Sequence, residues 1–114
     1  MTEQTTTGPA ESRSVLLTPA ELLVRAVLER RTVDLVYEGQ HRVVEPHLVG
    51  LHEAGEPMPS GYQTGGFSQT GDLPGWRTFI TSKIDSVEPR SETFTPRSDY
   101  NRMAAGMLEV FARA

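Results

Sequence analysis

Arg77, Tyr62, Gln63, His47 and Phe79 are the side chains of this sequence whose types could do chemistry together. Arg77 offers a planar fork of donors matched to phosphate, carboxylate and base edges. Tyr62 offers a ring face on which a base can stack, with Gln63 beside it to read the base edge. An aromatic next to an arginine suits single-stranded nucleic acid. Strand alternation puts Arg77 and Phe79 on one face and Trp76 and Thr78 on the other, and it separates Tyr62 from Gln63. Each residue also has a structural alternative. Arg77 could pair with a carboxylate such as Glu45, Tyr62 could be half-buried with its hydroxyl bonded to a neighbour, and Phe79 could be core.

His41, Glu45 and His47 are a second constellation, two imidazoles and a carboxylate of metal-ligand type. Same-face residues in a strand step ~6.6 to 7 Å along it, which sets His41 and His47 too far apart for one ion. No metal is expected. The glycine-rich loop Gly65–Gly75 lacks Gly-Lys-Ser/Thr and does not lead from a strand into a helix, so neither nucleotide fingerprint applies. It reads as a flexible hairpin connection, with a lid over a ligand as the alternative. Serines occur without a nucleophile-elbow context and no acid pair stands out, so the expectation is a non-enzymatic protein without a cofactor. Cysteine is absent, which removes disulfides and thiolate chemistry together.

These residues need elements to position them. Thr18-Pro19-Ala20-Glu21 opens a helix: Thr18 caps, Pro19 suits the first position and Glu21 completes a capping box. Leu22, Leu23, Ala26 and Val27 give it one apolar stripe running to Arg31, with Arg30 and Arg31 complementing its dipole. Thr32–Tyr37 then switches to period two. Glu38-Gly39-Gln40 is a turn, and His41–His52 is a long strand in which Pro46 marks a bulge, a bend or an edge. Glu53–Ser60 reads as a loop. Strands follow at Tyr62–Thr64, Trp76–Thr81 and Ile84–Val87. Short strands without helices between them predict an antiparallel barrel. Arg90–Tyr100 reads as irregular, with a turn at Arg97-Ser98-Asp99. Met103, Met107, Val110 and Phe111 predict a C-terminal amphipathic helix over Arg102–Ala112, capped by Asn101.

The totals fit one domain. The chain has 114 residues, 37% of them apolar, and a formal charge of -4 from 15 acids against 11 bases. That balance gives no whole-molecule attraction to nucleic acid or membrane. No apolar run approaches the ~18 to 20 residues that span a bilayer, and the N-terminus lacks a secretory pattern, so a cytoplasmic protein is expected. Residues 1–17 read as a disordered tail, 18–89 as a domain of one helix and a barrel, and 90–114 as a C-terminal extension bearing the amphipathic helix.

Ala26–Arg31, Val33–Tyr37, Val44-Glu45-Pro46, Tyr62, Arg77-x-Phe79 and Lys83-Ile84 occur in an order that resembles the WYL domain family. The likeness covers roughly Leu22–Val87, and Arg-x-Phe followed by Lys-Ile is its most specific piece. It implies a small Sm-like or SH3-like antiparallel β-barrel. The family occurs mostly in bacterial transcription regulators and defence-associated proteins, as a sensor of nucleic acid or nucleotide-type ligands. The resemblance makes Arg77 the ligand-contacting arginine and His47 a ligand hydrogen-bond partner. Gly61-Tyr62-Gln63 stands where Trp-Tyr-Leu would, so only the tyrosine matches. Only a tail and one helix precede the barrel, so no helix-turn-helix is expected and a transcription-factor role does not carry over. The leading expectation is therefore a ligand-sensing module for single-stranded nucleic acid or a nucleotide. The alternative is a homodimer or protein-interaction module acting through the C-terminal helix, and a third reading is a small metal-dependent enzyme using His41, Glu45 and His47.

Overall fold

Thr18 caps the first helix as the sequence predicts. In the computed structural model its hydroxyl accepts from the Glu21 N–H at 3.2 Å while the Glu21 carboxylate accepts from the Thr18 N–H at 2.9 Å. This reciprocal box starts helix α1, Pro19–Glu29. The structure describes residues 17–52, 55, 57–69, 71–99 and 107–114, and at 52 and 108 the backbone only. The expected tail up to residue 16, and the expected cap Asn101 with Met103, lie outside the described residues. Helix α1 ends earlier than its apolar stripe suggested. Arg30 turns left-handed at φ 55° and Arg31 already opens the first strand, so Arg31 does not lie in the helix.

Among the described residues six strands follow: β1 Arg31–Tyr37, β2 Gln40–His52, β3 Pro57–Gly66, β4 Gly75–Thr78, β5 Ile84–Thr93 and β6 Met107–Arg113, with a 3-10 turn at Thr81–Lys83. They form one antiparallel sheet in the order β4-β3-β2-β1-β5, with β6 also beside β2. The architecture is mainly β with one described helix. The sheet is open among the described residues, with β4 and β5 at its ends. No helix among the described residues is long and apolar enough to cross a membrane.

The β1–β2 turn explains itself locally. Glu38 at φ 51° and Gly39 at φ 79° are both left-handed, the combination whose twist matches the flanking strands. Strand β2 then organises everything else. It pairs with β3 from Arg42 to Leu51, while its other edge pairs with β1 up to Val44 and with β6 from Leu48 onward. Pro46, which has no N–H to give, stands in the gap between those two partners. The β2–β3 register slips there, between Pro46 and Leu48, leaving His47 as an extra residue. Of the bulge, bend or edge expected at Pro46, the structure has a bulge.

Strand β6 is the main correction to the sequence reading. Residues 107–112, the described part of the helix expected over Arg102–Ala112, are extended instead, because the second half of β2 needs a partner. Leu48 is fully buried, and Val49 pairs with Ala112, which is buried as well. The last strand therefore belongs to the same sheet as the others, and the apolar helical face on which an interaction role rested is not formed at 107–113. Of the other strands, β4 stops at Thr78, short of the predicted Thr81, which lies in the 3-10 turn, and the rest run longer than expected. Strand β3 begins at Pro57, inside the predicted loop, and β5 continues through Arg90 to Thr93, into the segment expected to be irregular.

The core lies between α1 and one face of the sheet. Leu23, Ala26 and Val27 of the helix meet Val33, Leu35, Tyr37, Val44, Val49, Phe79, Ile84, Val87 and Ala112. Each fully buried Leu or Val contributes about 1.5–3 kcal/mol by leaving water. Tyr37 closes one end: its ring meets the edge of Phe79 at 5.0 Å, and its hydroxyl accepts from the Ile80 N–H at 3.1 Å.

Candidate functional site

Strand alternation builds a second, outer face on β2, β3 and β4. In the register Glu45 lies across from Tyr62, and Tyr62 lies across from Trp76, so these three stand side by side on one face. The Tyr62 and Trp76 rings meet edge to face at 5.3 Å. The bulged residue His47 joins them, its ring 4.9 Å from Trp76.

The segment after β5 crosses this face and caps it. Phe94 lies 4.7 Å from the His47 ring. Arg97 donates its backbone N–H to His47 Nε2 at 3.0 Å and its Nε–H to Glu45 Oε1 at 3.0 Å. Its guanidinium carbon lies 3.7 Å from the Tyr62 ring centroid, within cation–π range. Trp76 donates its indole N–H to Asp99 Oδ2 at 3.1 Å. The result is an aromatic cluster of Tyr62, Trp76, His47 and Phe94 under a rim of Arg97, Glu45 and Asp99.

His47 is fully buried, and burial pushes its pKa below the ordinary imidazole value. Its Nε2 accepts from Arg97, so the proton sits on Nδ1, which donates to the Glu45 carbonyl at 2.8 Å. Arg97 is more open, with its side chain 39% exposed against 16% for Glu45. Among the described residues its two Nη groups make no hydrogen bond, so they remain available as a fork of donors.

The structure brings together only part of the expected site. Tyr62 and His47 are in the cluster. Gln63 is on the opposite face, fully buried, with its amide spent on the Gly65 and Phe67 carbonyls. Phe79 is core, 3% exposed. Neither faces the surface that Tyr62 lines, because successive strand residues point to opposite sides. Arg77 does not pair with Glu45, whose partner is Arg97. Its guanidinium instead donates to the Trp76 carbonyl at 2.9 Å, to Ser68 Oγ at 3.3 Å and to the Asp72 carbonyl, lacing the glycine-rich loop to its own strand. His41 is held by Asp34 at 2.7 Å, apart from Glu45 and His47, and no group of three metal-ligating side chains gathers among the described residues.

Arg97, Phe94, Asp99 and the role of Trp76 were missed. They belong to a segment read as irregular, and no local spacing ties Arg97 to Tyr62. A Phe and an Arg separated by Thr-Pro immediately after a strand were the available signal. Comparison of the chain with protein-family models, with curated proteins and with solved structures finds no match.

Proposed function

We propose that this chain is a non-enzymatic ligand-sensing module that binds single-stranded nucleic acid or a nucleotide-type ligand on the outer face of β2, β3 and β4. The observation that carries the reading is the Arg97 guanidinium, stacked 3.7 Å over Tyr62 with both Nη groups unspent among the described residues. A phosphate takes such a fork bidentately. Tyr62, with Trp76 at its edge, then supplies the platform on which a base stacks once Arg97 swings toward the phosphate. Glu45 is the resident counter-ion that the phosphate replaces. The overall charge of -4 opposes long-range attraction, so the reading rests on this local contact rather than on a basic surface.

The resemblance to WYL domains supports the same reading. Helix, bent long strand and Arg-x-Phe strand come in the family's order, and a strand switching partners at a proline bulge is the device by which an Sm- or SH3-like barrel closes. Under this reading the sheet is an opened relative of an Sm-like barrel, with Arg97 taking the part that the resemblance gave to Arg77.

Trp76 is the only tryptophan in the chain and lies inside the cluster, so its emission reports on the site. Titration with a short oligothymidylate is expected to change Trp76 emission saturably in the wild type and not in Tyr62→Ala. Unchanged emission across the titration, with the protein folded, would remove the proposal's basis.

A further inference from the structure

Arg42 occupies a position made for an apolar side chain. It pairs with Leu35 across β1 and β2, on the row where Val33 pairs with Val44, and Leu35, Val33 and Val44 are all core. Arg42 is only 8% exposed. Its guanidinium sits against two ring faces, 5.1 Å from the Tyr37 centroid and 5.4 Å from the Phe67 centroid. Rings attract the positive charge, but guanidinium N–H groups point outward in their own plane and still require acceptors. Arg42 Nε is enclosed with no hydrogen-bond partner, and no described carboxylate pairs with the side chain. Nearby acids are committed elsewhere: Asp34 to Arg90 and His41, Glu38 to Lys83, and Asp85 to the Gly39 N–H.

A complementary lack lies beside it. Gln63 stands across from Val44, diagonal to Arg42 on the same face, where long side chains reach each other. Its Nε2 donates to the Gly65 carbonyl at 3.0 Å and to the Phe67 carbonyl at 2.7 Å, which fixes the orientation of the amide. Its Oε1 is left enclosed without a donor. Buried polar atoms are paired as a rule, and a buried cation without a counter-ion is a costly arrangement to keep. Here the side chains with the unmet donor and the unmet acceptor both touch Phe67, the Arg42 guanidinium at its ring and the Gln63 amide at its carbonyl, and Phe67 itself is 41% exposed.

We propose that Arg42 and Gln63 form a binding site for a protonated phosphate group. Phosphate oxygens accept from the in-plane donors of Arg42, the phosphate's P–OH donates to Gln63 Oε1, and the Phe67 ring moves aside to admit the group. The site lies on the core face, opposite Glu45 and Tyr62, and does not depend on the outer-face reading. A carboxylate is disfavoured, because at about pH 6, the pH of the test, a phosphate monoester keeps a proton for Gln63 and a carboxylate has none.

The test is a titration of the arginine Nε–H resonances by nuclear magnetic resonance, at about pH 6 and constant ionic strength. Inorganic phosphate, adenosine monophosphate and acetate are added separately. The Arg42 signal is identified by its loss in Arg42→Met. A saturable shift of that signal with inorganic phosphate assigns the site to the free anion. A shift with the nucleotide alone assigns it to a terminal phosphate. Acetate is expected to bind at least tenfold more weakly than whichever binds. In phosphate-free buffer Arg42→Met, relieved of an uncompensated charge, is expected to melt no lower than wild type and to gain nothing from phosphate. Absence of a saturable shift with either phosphate compound overturns the proposal. So does a much lower melting temperature for Arg42→Met in phosphate-free buffer, which would make Arg42 a structural residue. An Arg42→Met chain that does not fold counts as that same outcome.

Discussion

Arg97 lies over the face of Tyr62, 3.7 Å from its centroid, while its Nε–H holds Glu45 at 3.0 Å. One side chain thus ties the segment after β5 to two neighbouring strands. The pair with Glu45 is partly solvent-screened, and a cation–π contact at such a site contributes about 0.5–1 kcal/mol. Arg97→Ala is therefore expected to destabilise the fold by about 1 kcal/mol, a drop of roughly 4–8 °C in melting temperature. In a double-mutant cycle, calorimetry should show Arg97→Ala and Tyr62→Leu to be non-additive. Strict additivity would mean that the stacked geometry contributes nothing.

His47 gives the fold a pH dependence of known sign. The folded protein holds it neutral below its ordinary pKa of 6.5, so below that pH the unfolded chain binds more protons. Stability is expected to fall as the pH drops from about 6.5 toward the lowered folded value, because protonated Nε2 can no longer accept from Arg97. Urea midpoints measured across this range should decline in the wild type and flatten in His47→Gln. A flat wild-type profile would contradict the buried neutral imidazole.

Asp34 acts in a separate window. Hydrogen bonds from Arg90 and then His41 hold its carboxyl down to about 2, from an ordinary 3.8. The stabilisation it gives is present above 3.8 and is lost as the pH falls toward 2. Asp34→Asn should remove the acid limb of the stability profile between those values and leave the His47 limb unchanged. An acid limb that survives Asp34→Asn would assign it to other carboxylates.

Gly61, the residue standing where the resembled family carries tryptophan, lies opposite Pro46. A Cβ there would come within 2.6 Å of Val44 Cγ1 and 2.7 Å of the Glu45 carbonyl oxygen. Gly61→Ala is expected to cost about 1–3 kcal/mol in urea unfolding. Gly65→Ala, whose Cβ would meet the Val43 side chain at an ordinary 3.6 Å, is the tolerant control. Equal midpoints for the two variants would show that the bulge relaxes freely.

How much of this was legible in the sequence depends on whether the signal was local. The Thr18 capping box, the period-two run to Tyr37 and the bulge at Pro46 are decided by neighbours in the chain, and the structure has all three. Strand β6 is decided by β2, far away in sequence. Met107, Val110 and Phe111 fit a helical stripe, yet Val110, Ala112 and Ala114 also alternate, and the need of Leu48 and Val49 for a partner selects that second pattern. The site divides along the same line. Tyr62 and His47 stood out by type, whereas Arg97 reaches them only through the path the chain takes after β5. Arg77 looked like a ligand arginine because its strand neighbours are aromatic, but its donors are drawn to the loop carbonyl of Asp72 and to Ser68.

The measurement that bears most directly on the outer-face reading is fluorescence anisotropy with short labelled single-stranded DNA and RNA, at low and moderate salt. Wild type and a folded Arg97→Gln variant are compared. The predicted result is saturable wild-type binding that weakens as salt rises, with at least a tenfold loss, about 1.4 kcal/mol, in Arg97→Gln. Equal binding by the two proteins, or no binding at low salt where a phosphate contact is strongest, would contradict it.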